Sequence, residues 1–282
     1  MRFGLLLPTQ GPYADVRLLA ALAHDADQAG WDGVFIWDEL LAVAAGPGER
    51  FAGWDGVADS WVALTAIAAA TERIRIGALV SPVARMRPET FALQTATLDR
   101  FSNGRLIIGA GLGNPPDQFS AFGHRSDLRV RAAMVDEFLD LVTLLWIGDP
   151  VDFHGQYYEA NNATLRPTPL QQPRIPIWIG ADSGNRTPRR RGARWDGFAP
   201  VSTLWPDGIL SADEYCTIVA DVLAQRASET PFDFVAVGNA EGTKPRTDEL
   251  ADYEAAGVTW MLEQSFDADS ARDRILHGPP GF

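Results

Sequence analysis

Residues 74–113 read IRIGALVSPVARMRPETFALQTATLDRFSNGRLIIGAGLG. Two apolar runs, 74–80 and 106–110, flank a segment with helical spacing from about residue 88 to 102. A strand, a helix and a strand in that order form a βαβ unit, so the two strands are expected to lie parallel. Both strands run into loops rich in glycine or proline, Val80-Ser81-Pro82-Val83 and Gly109-Ala110-Gly111-Leu112-Gly113. In a parallel sheet these loops share the carboxyl edge, where α/β proteins bind ligands. This unit therefore sets both the fold and the place to look for a site.

The pattern repeats outward in both directions. Residues 3–7 and 33–37 are compact apolar runs, as expected of strands buried on both faces. Between them, residues 14–30 place Leu19, Leu22, Ala23 and Ala26 on one helical stripe that ends at Gly30. A further helix carries Val57, Trp61, Leu64 and Ala68. Beyond Gly113, residues 128–146 read as a helix through Val130, Met134, Phe138, Leu141, Val142 and Leu145. Strand character returns at 175–179, weakly at 196–199, and again at 234–237 and 259–262. Helices are expected up to Arg194 and over 213–225, 248–256 and 268–276. Residues 148–174 interrupt the alternation. There, Phe153, Gly155, Tyr157 and Tyr158 suggest a hairpin, and Pro167, Pro169 and Pro173 an extended return.

Strands and helices alternating over roughly 250 residues predict a single α/β domain, a (β/α)8 TIM barrel spanning residues 1–282. The competing architecture is an open doubly wound sheet. Closure decides between them: residues 259–262 must pair with residues 3–7.

Bulk composition narrows the function. The hydrophobic set makes up 46% and charged residues 22%, which suits a soluble domain with a sizeable core. A net charge of −13 argues against a nucleic-acid partner, because phosphates would be repelled. The single cysteine, Cys216, leaves no internal disulfide and fits a reducing, cytoplasmic setting. The apolar start breaks at Pro8, too soon for a signal-peptide core, and no run is long enough to span a membrane.

The expected strand ends carry the candidate chemistry. Asp38 and Glu39 form the one adjacent acidic pair at a strand end, suited to act as base or hydrogen-bond acceptor, or else to cap the next loop. Trp37 and Trp54 are candidates to wall a pocket for a planar apolar ligand, or else to pack. Glycine recurs at these ends, where a flat ligand approaching the backbone would be blocked by a side chain. Gly109-Ala110-Gly111-Leu112-Gly113-Asn114 has Asn114 where a dinucleotide fingerprint needs its third glycine, and Pro115-Pro116 follows.

A better phosphate cradle is Gly180-Ala181-Asp182-Ser183-Gly184-Asn185-Arg186, a loop opening into a helix. Ser183 adds a hydroxyl and Arg186 a charged fork. Arg189, Arg190, Arg191 and Arg194 are expected to form a solvated basic face on that helix. The four histidines are scattered and no G-x-S-x-G elbow occurs, so neither a metal site nor a nucleophile is expected. A phosphorylated cofactor is the remaining source of reactivity.

Several blocks share one pattern: AHDADQAGWDGVFIW (23–37), WVALTAIAAATERIRIGALVSP (61–82) and RPETFALQTATLDRFSNGRLIIGAGLG (87–113). FHGQYYEANNATLRPTPLQQPRIPIWIGA (153–181) and RRRGARWDGF (189–198) extend it. On these blocks, the chain resembles the bacterial luciferase-like family of flavin- and deazaflavin-dependent oxidoreductases.

The resemblance implies a TIM barrel binding reduced FMN or coenzyme F420 at its carboxyl end. It implies a ring site near Ser81, Pro82 and Gly111, continued by Gly113 and Asn114. Phosphate would be held by Gly180, Ala181, Asp182 and Ser183, with Arg186 beside them. FMN members oxygenate small organic substrates, with a flavin reductase supplying reduced FMN. F420 members transfer a hydride to or from an alcohol, imine or enone. An FMN-dependent monooxygenase is the first expectation and an F420-dependent oxidoreductase the second, with a non-catalytic cofactor-binding protein as a third. Many members are dimers, so a homodimer is expected.

The chain departs from the pattern in two places. Glu39 stands where several members carry histidine after the aspartate, so a histidine base does not transfer. The only long stretch available as a lid is 40–56.

Overall fold

Strand β1 (Arg2–Leu7) pairs in parallel with β10 (Trp260–Gln264), in a register that sets Phe3 against Met261 and Leu5 against Glu263. This is the pairing that distinguishes a closed barrel from an open sheet. The computed structural model of the chain describes residues 1–42, 54–184, 186–204, 208–239 and 249–280. Around the ring from β1 come β2 (Gly33–Ile36), β3 (Arg75–Pro82), β4 (Leu106–Gly111), β7 (Ile177–Asp182), β8 (Gly197–Val201) and β9 (Asp233–Asn239), then β10. All eight are parallel neighbours, so the chain is a (β/α)8 barrel. The break in alternation holds an antiparallel hairpin outside the barrel, β5 (Val151–His154) with β6 (Glu159–Ala163).

Glycines on the strands make room for large rings inside. Phe35, Trp178 and Trp260 come from strands that are not neighbours, yet their ring centroids lie 5.0 to 5.7 Å apart. They therefore meet across the barrel interior and close it as a packed core. A β-carbon on Gly197 would stand 2.3 Å from the Trp178 ring, and one on Gly33 would stand 2.9 Å from that of Phe35.

Side-chain caps set the helix starts. Asp59 accepts from the amides of Trp61 and Val62, so α2 is Ser60–Ala70 and does not reach back to Val57. Val57 instead bridges Gln10 in antiparallel fashion. Asp15 caps α1 (Val16–Gln28), Asp127 caps α5 (Leu128–Leu145), and a Ser211–Glu214 capping box starts α7 (Ala212–Leu223). Helix α3 is Pro88–Phe101, α8 is Leu250–Ala255 and α9 is Ala268–Leu276.

Two helices differ from expectation. The helix expected to run up to Arg194 is only Thr187–Gly192 (α6), and a four-residue α4, Asp117–Ser120, follows Pro115-Pro116. Four residues after two prolines carry no periodicity that could announce it. Among the described residues no helix is long and apolar enough to cross a membrane. Of the expected lid 40–56, residues 43–53 lie outside the described residues.

The most distinctive sequence blocks fasten the amino-terminal end of the barrel. Buried Arg105 donates to the carbonyls of Ala68, Thr71, Ile74 and Ser102 and to the Thr71 hydroxyl. It thereby satisfies carbonyls left open where α2 ends. Asp27 accepts from the amides of Glu72 and Arg73, while Asp99 accepts from the amides of Leu170 and Gln171 and so holds the return from the hairpin.

Candidate active site

Three adjacent strands, β1, β2 and β3, end in buried polar residues at the carboxyl mouth. Thr9 follows β1, Asp38 follows β2 and Ser81 lies near the end of β3, all inaccessible or nearly so. Ser60 Oγ donates to the Trp37 carbonyl at 2.8 Å, which pins the end of β2 against the start of α2. Ser81 Oγ donates to Asp38 Oδ2 at 2.7 Å. After β3 a single 3-10 turn, Val83–Arg85, brings Arg85 back over the mouth. Its Nη2 donates to Asp38 Oδ1 at 2.6 Å and to the Asp38 carbonyl at 2.8 Å. Both partners of this ion pair are buried, with side chains 3% and 6% exposed.

Burial pushes the Asp38 carboxyl up, while Arg85 and the Ser81 hydroxyl pull it back. The Glu39 carboxyl is pushed up to about 8, first by burial, with Asp38 and Asp117 adding to the rise and Arg85 opposing it. Glu39 Oε2 is buried without a hydrogen-bond partner, as are Thr9 Oγ1 and Arg85 Nη1. At neutral pH, Glu39 thus carries a proton beside Asp38, whose oxygens Ser81 and Arg85 hold, an arrangement that can give or take a proton.

The segment after Glu39 is anchored by α4. Gln118 Oε1 accepts from the amides of Leu40 and Leu41, and Gln118 Nε2 donates to the Leu41 carbonyl. The loop after β4 is anchored by Arg131, whose Nη1 donates to the carbonyls of Leu112 and Gly113. Its guanidinium lies over the Phe119 ring, 4.4 Å from the centroid.

The glycines of the mouth have a different occupant from the flat ligand expected. A register shift between Ala78 and Ser81 turns Val80 inward. Its side chain fills the notches at Gly111 and Gly180, where β-carbons would stand 2.5 and 2.3 Å from Val80 methyls. The space at Gly113 is taken by Pro82 and the Phe119 ring. Val80 thereby forms an apolar shelf between the ends of β4 and β7. Asn114 is exposed at the rim. Trp37 packs edge-on against Phe266, and Trp54 edge-on against Tyr13 and over Gly11, so both are buried among neighbours.

The expected phosphate loop is partly committed to its own contacts. β7 runs on through Ala181 to Asp182, the Ser183 amide donates to the Val201 carbonyl, and the Gly184 amide donates to Asp182 Oδ1. Arg186 is exposed and free to meet an anion, while Asn185 lies outside the described residues. Of the rest of the arginine run, Arg190 is exposed as a solvated face requires, whereas Arg189, Arg191 and Arg194 are paired. Arg189 bonds Asp221 and the Ser183 carbonyl, Arg191 forks onto Asp136, and Arg194 bonds Asp140. These residues clamp α6 to α5 and α7.

Arg85, Gln118, Arg131 and Val80 are the contributors that the sequence did not single out. Only Arg85 left a signal there: it is the first charge beyond the β3 strand end.

A family model described as luciferase-like monooxygenase matches residues 1–215. An F420-dependent glucose-6-phosphate dehydrogenase of Nakamurella multipartita is 33% identical over 69% of this chain and 56% of its own length. One from Amycolatopsis mediterranei is 32% identical over 70% of this chain and 58% of its length. The chain thus spans just over half the length of these curated relatives. Among solved structures, an F420-dependent secondary alcohol dehydrogenase superposes with a TM-score of 0.78 at 14% identity, covering 99% of this chain and 98% of that one. A monooxygenase from Streptomyces bottropensis superposes with a TM-score of 0.74 at 19% identity, over 98% of this chain and 96% of that one. At such identities the superpositions speak for the barrel alone.

Proposed function

We propose that this chain, which belongs to the luciferase-like monooxygenase family, is an F420-dependent oxidoreductase that exchanges a hydride with a small organic alcohol or carbonyl compound. The curated relatives named above shift the weight from FMN, the first expectation, to F420. The observation that carries the reading is Glu39, a half-buried carboxyl at the mouth that holds its proton to about 8 and whose Oε2 is buried without a partner. Converting an alcohol to a carbonyl, or the reverse, needs a proton partner at the oxygen as well as a hydride at the carbon. Glu39 can supply or receive that proton near neutral pH, in the place where several members carry histidine.

The mouth fits a flat ring with polar edges. Val80 offers an apolar shelf, and Thr9 Oγ1 and Glu39 Oε2 offer buried hydrogen-bonding capacity that no group among the described residues uses. The deazaflavin, when bound, supplies the hydride chemistry. Thr9 and Ser81 at the strand ends and Arg186 at the α6 rim are the residues to hold it. Asp38, fixed by Ser81 and Arg85, stands beside Glu39 and orients the end of β2. Arg131 and Gln118 hold the two loops that border the mouth.

Helix α2, SWVALTAIAAA, carries no charge, and its outward side shows Val62, 60% exposed, with Ala69 and the lone polar Thr65. A helix whose outward side is mostly apolar gains from cover there, which supports the homodimer reading with α2 in the interface.

The deciding experiment is a fluorescence titration of the purified protein with F420 against FMN, followed by turnover with a panel of alcohols and ketones. F420 preference with turnover is expected. FMN preference would return the reading to an oxygenase working with a flavin reductase. Binding without turnover on any substrate would leave a cofactor-binding protein.

A further inference from the structure

Arg85 acts electrostatically on two carboxyl groups, Asp38 and Glu39, and bonds only Asp38. Its Nη2 is shared between the carbonyl and Oδ1 of Asp38, whereas its Nη1 is buried with no partner. Glu39 Oε2, on the next residue, is also buried with no partner. The charged groups acting on Glu39 are Asp38 at the end of the same strand, Arg85 from the turn after β3, and Asp117 from α4. Asp38 additionally feels Asp59 at the start of α2. One guanidinium and two carboxyls buried together reach neutrality only when they hold one proton. Asp38 receives two charge-assisted or hydroxyl hydrogen bonds on its oxygens, and Glu39 receives none.

We infer that Arg85 is a positioning residue that fixes Asp38 as the ionised partner and so leaves the cluster's single proton on Glu39. When Glu39 gives that proton to a substrate oxygen, its O–H bond breaks and an O–H bond forms on the substrate. The new carboxylate then has one unclaimed buried donor in the same cluster, Arg85 Nη1, and solvent returns the proton afterwards. Arg85 thus selects which carboxyl works, without touching the reacting atoms. The inference rests on the acid–base role proposed for Glu39, but it concerns a proton that can be followed without turnover.

The test is a carboxyl carbon NMR titration of the purified protein with labelled glutamate and aspartate, Glu39 being assigned through Glu39→Gln. Asp38→Asn removes the competing anion and frees Arg85, so the Glu39 midpoint should fall by about one pH unit or more. Arg85→Gln removes the cation, so the Glu39 midpoint should rise by about the same amount and Asp38 should take up a proton at neutral pH. Opposite shifts in the two variants support the inference. Shifts in the same direction, or an unmoved midpoint in either variant, overturn it. If Arg85→Gln does not fold, the near-isosteric Asp38→Asn still decides by sign. A correctly shifting Glu39 in a protein that turns over no substrate would sink the proposed function and leave this inference standing.

Discussion

Val80 and Gly180 fit together as peg and notch: a β-carbon on Gly180 would stand 2.3 Å from Val80 Cγ1. Val80 meets Gly111 in the same way from the other side. The bulge of β3 is therefore locked by two strands, and the shelf it forms cannot be altered at one residue alone.

Gly180→Ala should destabilise the fold by about 1–3 kcal/mol, because a β-branched side chain has no flexible end to move aside. Val80→Ala in the same chain should recover part of that loss. Urea unfolding of the two single variants and the double variant checks the coupling, and strictly additive effects would mean the contact is not shared.

The barrel was readable because its strands are apolar runs at regular spacing and its helices carry clear stripes, as at Leu19, Leu22, Ala23 and Ala26. Asp38 and Ser81 were readable because strand ends on one sheet edge converge whatever else the chain does. Arg85, Gln118 and Arg131 were not, since their partners Asp38, Leu41 and Gly113 are set by loop geometry. Arg189, Arg191 and Arg194, in and after α6, misled for a related reason. The acids that neutralise them, Asp136, Asp140 and Asp221, sit on other helices far along the chain. The spacing of Val57 suits a helix, yet the Asp59 cap starts the helix after it. Local periodicity does not register that competition.

Arg186→Ala and Arg189→Ala should separate binding from architecture. Arg186 is exposed, so its loss should weaken cofactor binding by about 1–3 kcal/mol with little change in melting temperature. Arg189 ties Ser183 to Asp221 on α7, so its loss should lower the melting temperature. Cofactor titration paired with thermal unfolding checks both. Full affinity in Arg186→Ala would remove Arg186 from the site.

Arg105→Met should be among the most damaging changes away from the mouth. The substitution keeps the apolar stem but leaves the carbonyls of Ala68, Thr71 and Ile74 buried without donors. A loss of about 3–5 kcal/mol is expected from breaking such a buried network. Arg105→Lys, with a single ammonium in place of the fork, should recover only part of it. Chemical denaturation gives the comparison.

Val62→Glu should shift the chain toward monomer if α2 lies in the dimer interface, since an added carboxylate there would be desolvated against its counterpart. Sedimentation velocity on the wild-type chain and the variant reads the outcome directly. A wild-type chain that is already monomeric would remove the dimer reading.

Glu39 should leave a signature in stability as well as turnover. Its folded-state carboxyl holds its proton to about 8, against an ordinary value of 4.5. Between those two values the folded chain binds a proton that the unfolded chain has released. Stability therefore falls as pH rises through this window and levels off above it. The loss attributable to this one group is on the order of a few kcal/mol, reduced by the partial exposure of Glu39. Glu39→Gln cannot ionise, so its stability should stay flatter from about pH 5 to 8, and the variant should overtake the wild-type chain at the alkaline end. The same variant should bind cofactor almost normally while losing most of its turnover, because the amide keeps the shape but has no proton to exchange. Urea midpoints measured across that pH range, with turnover alongside, check both halves. Parallel stability curves would place the Glu39 carboxylate in water, and undiminished turnover would take the proton transfer away from it.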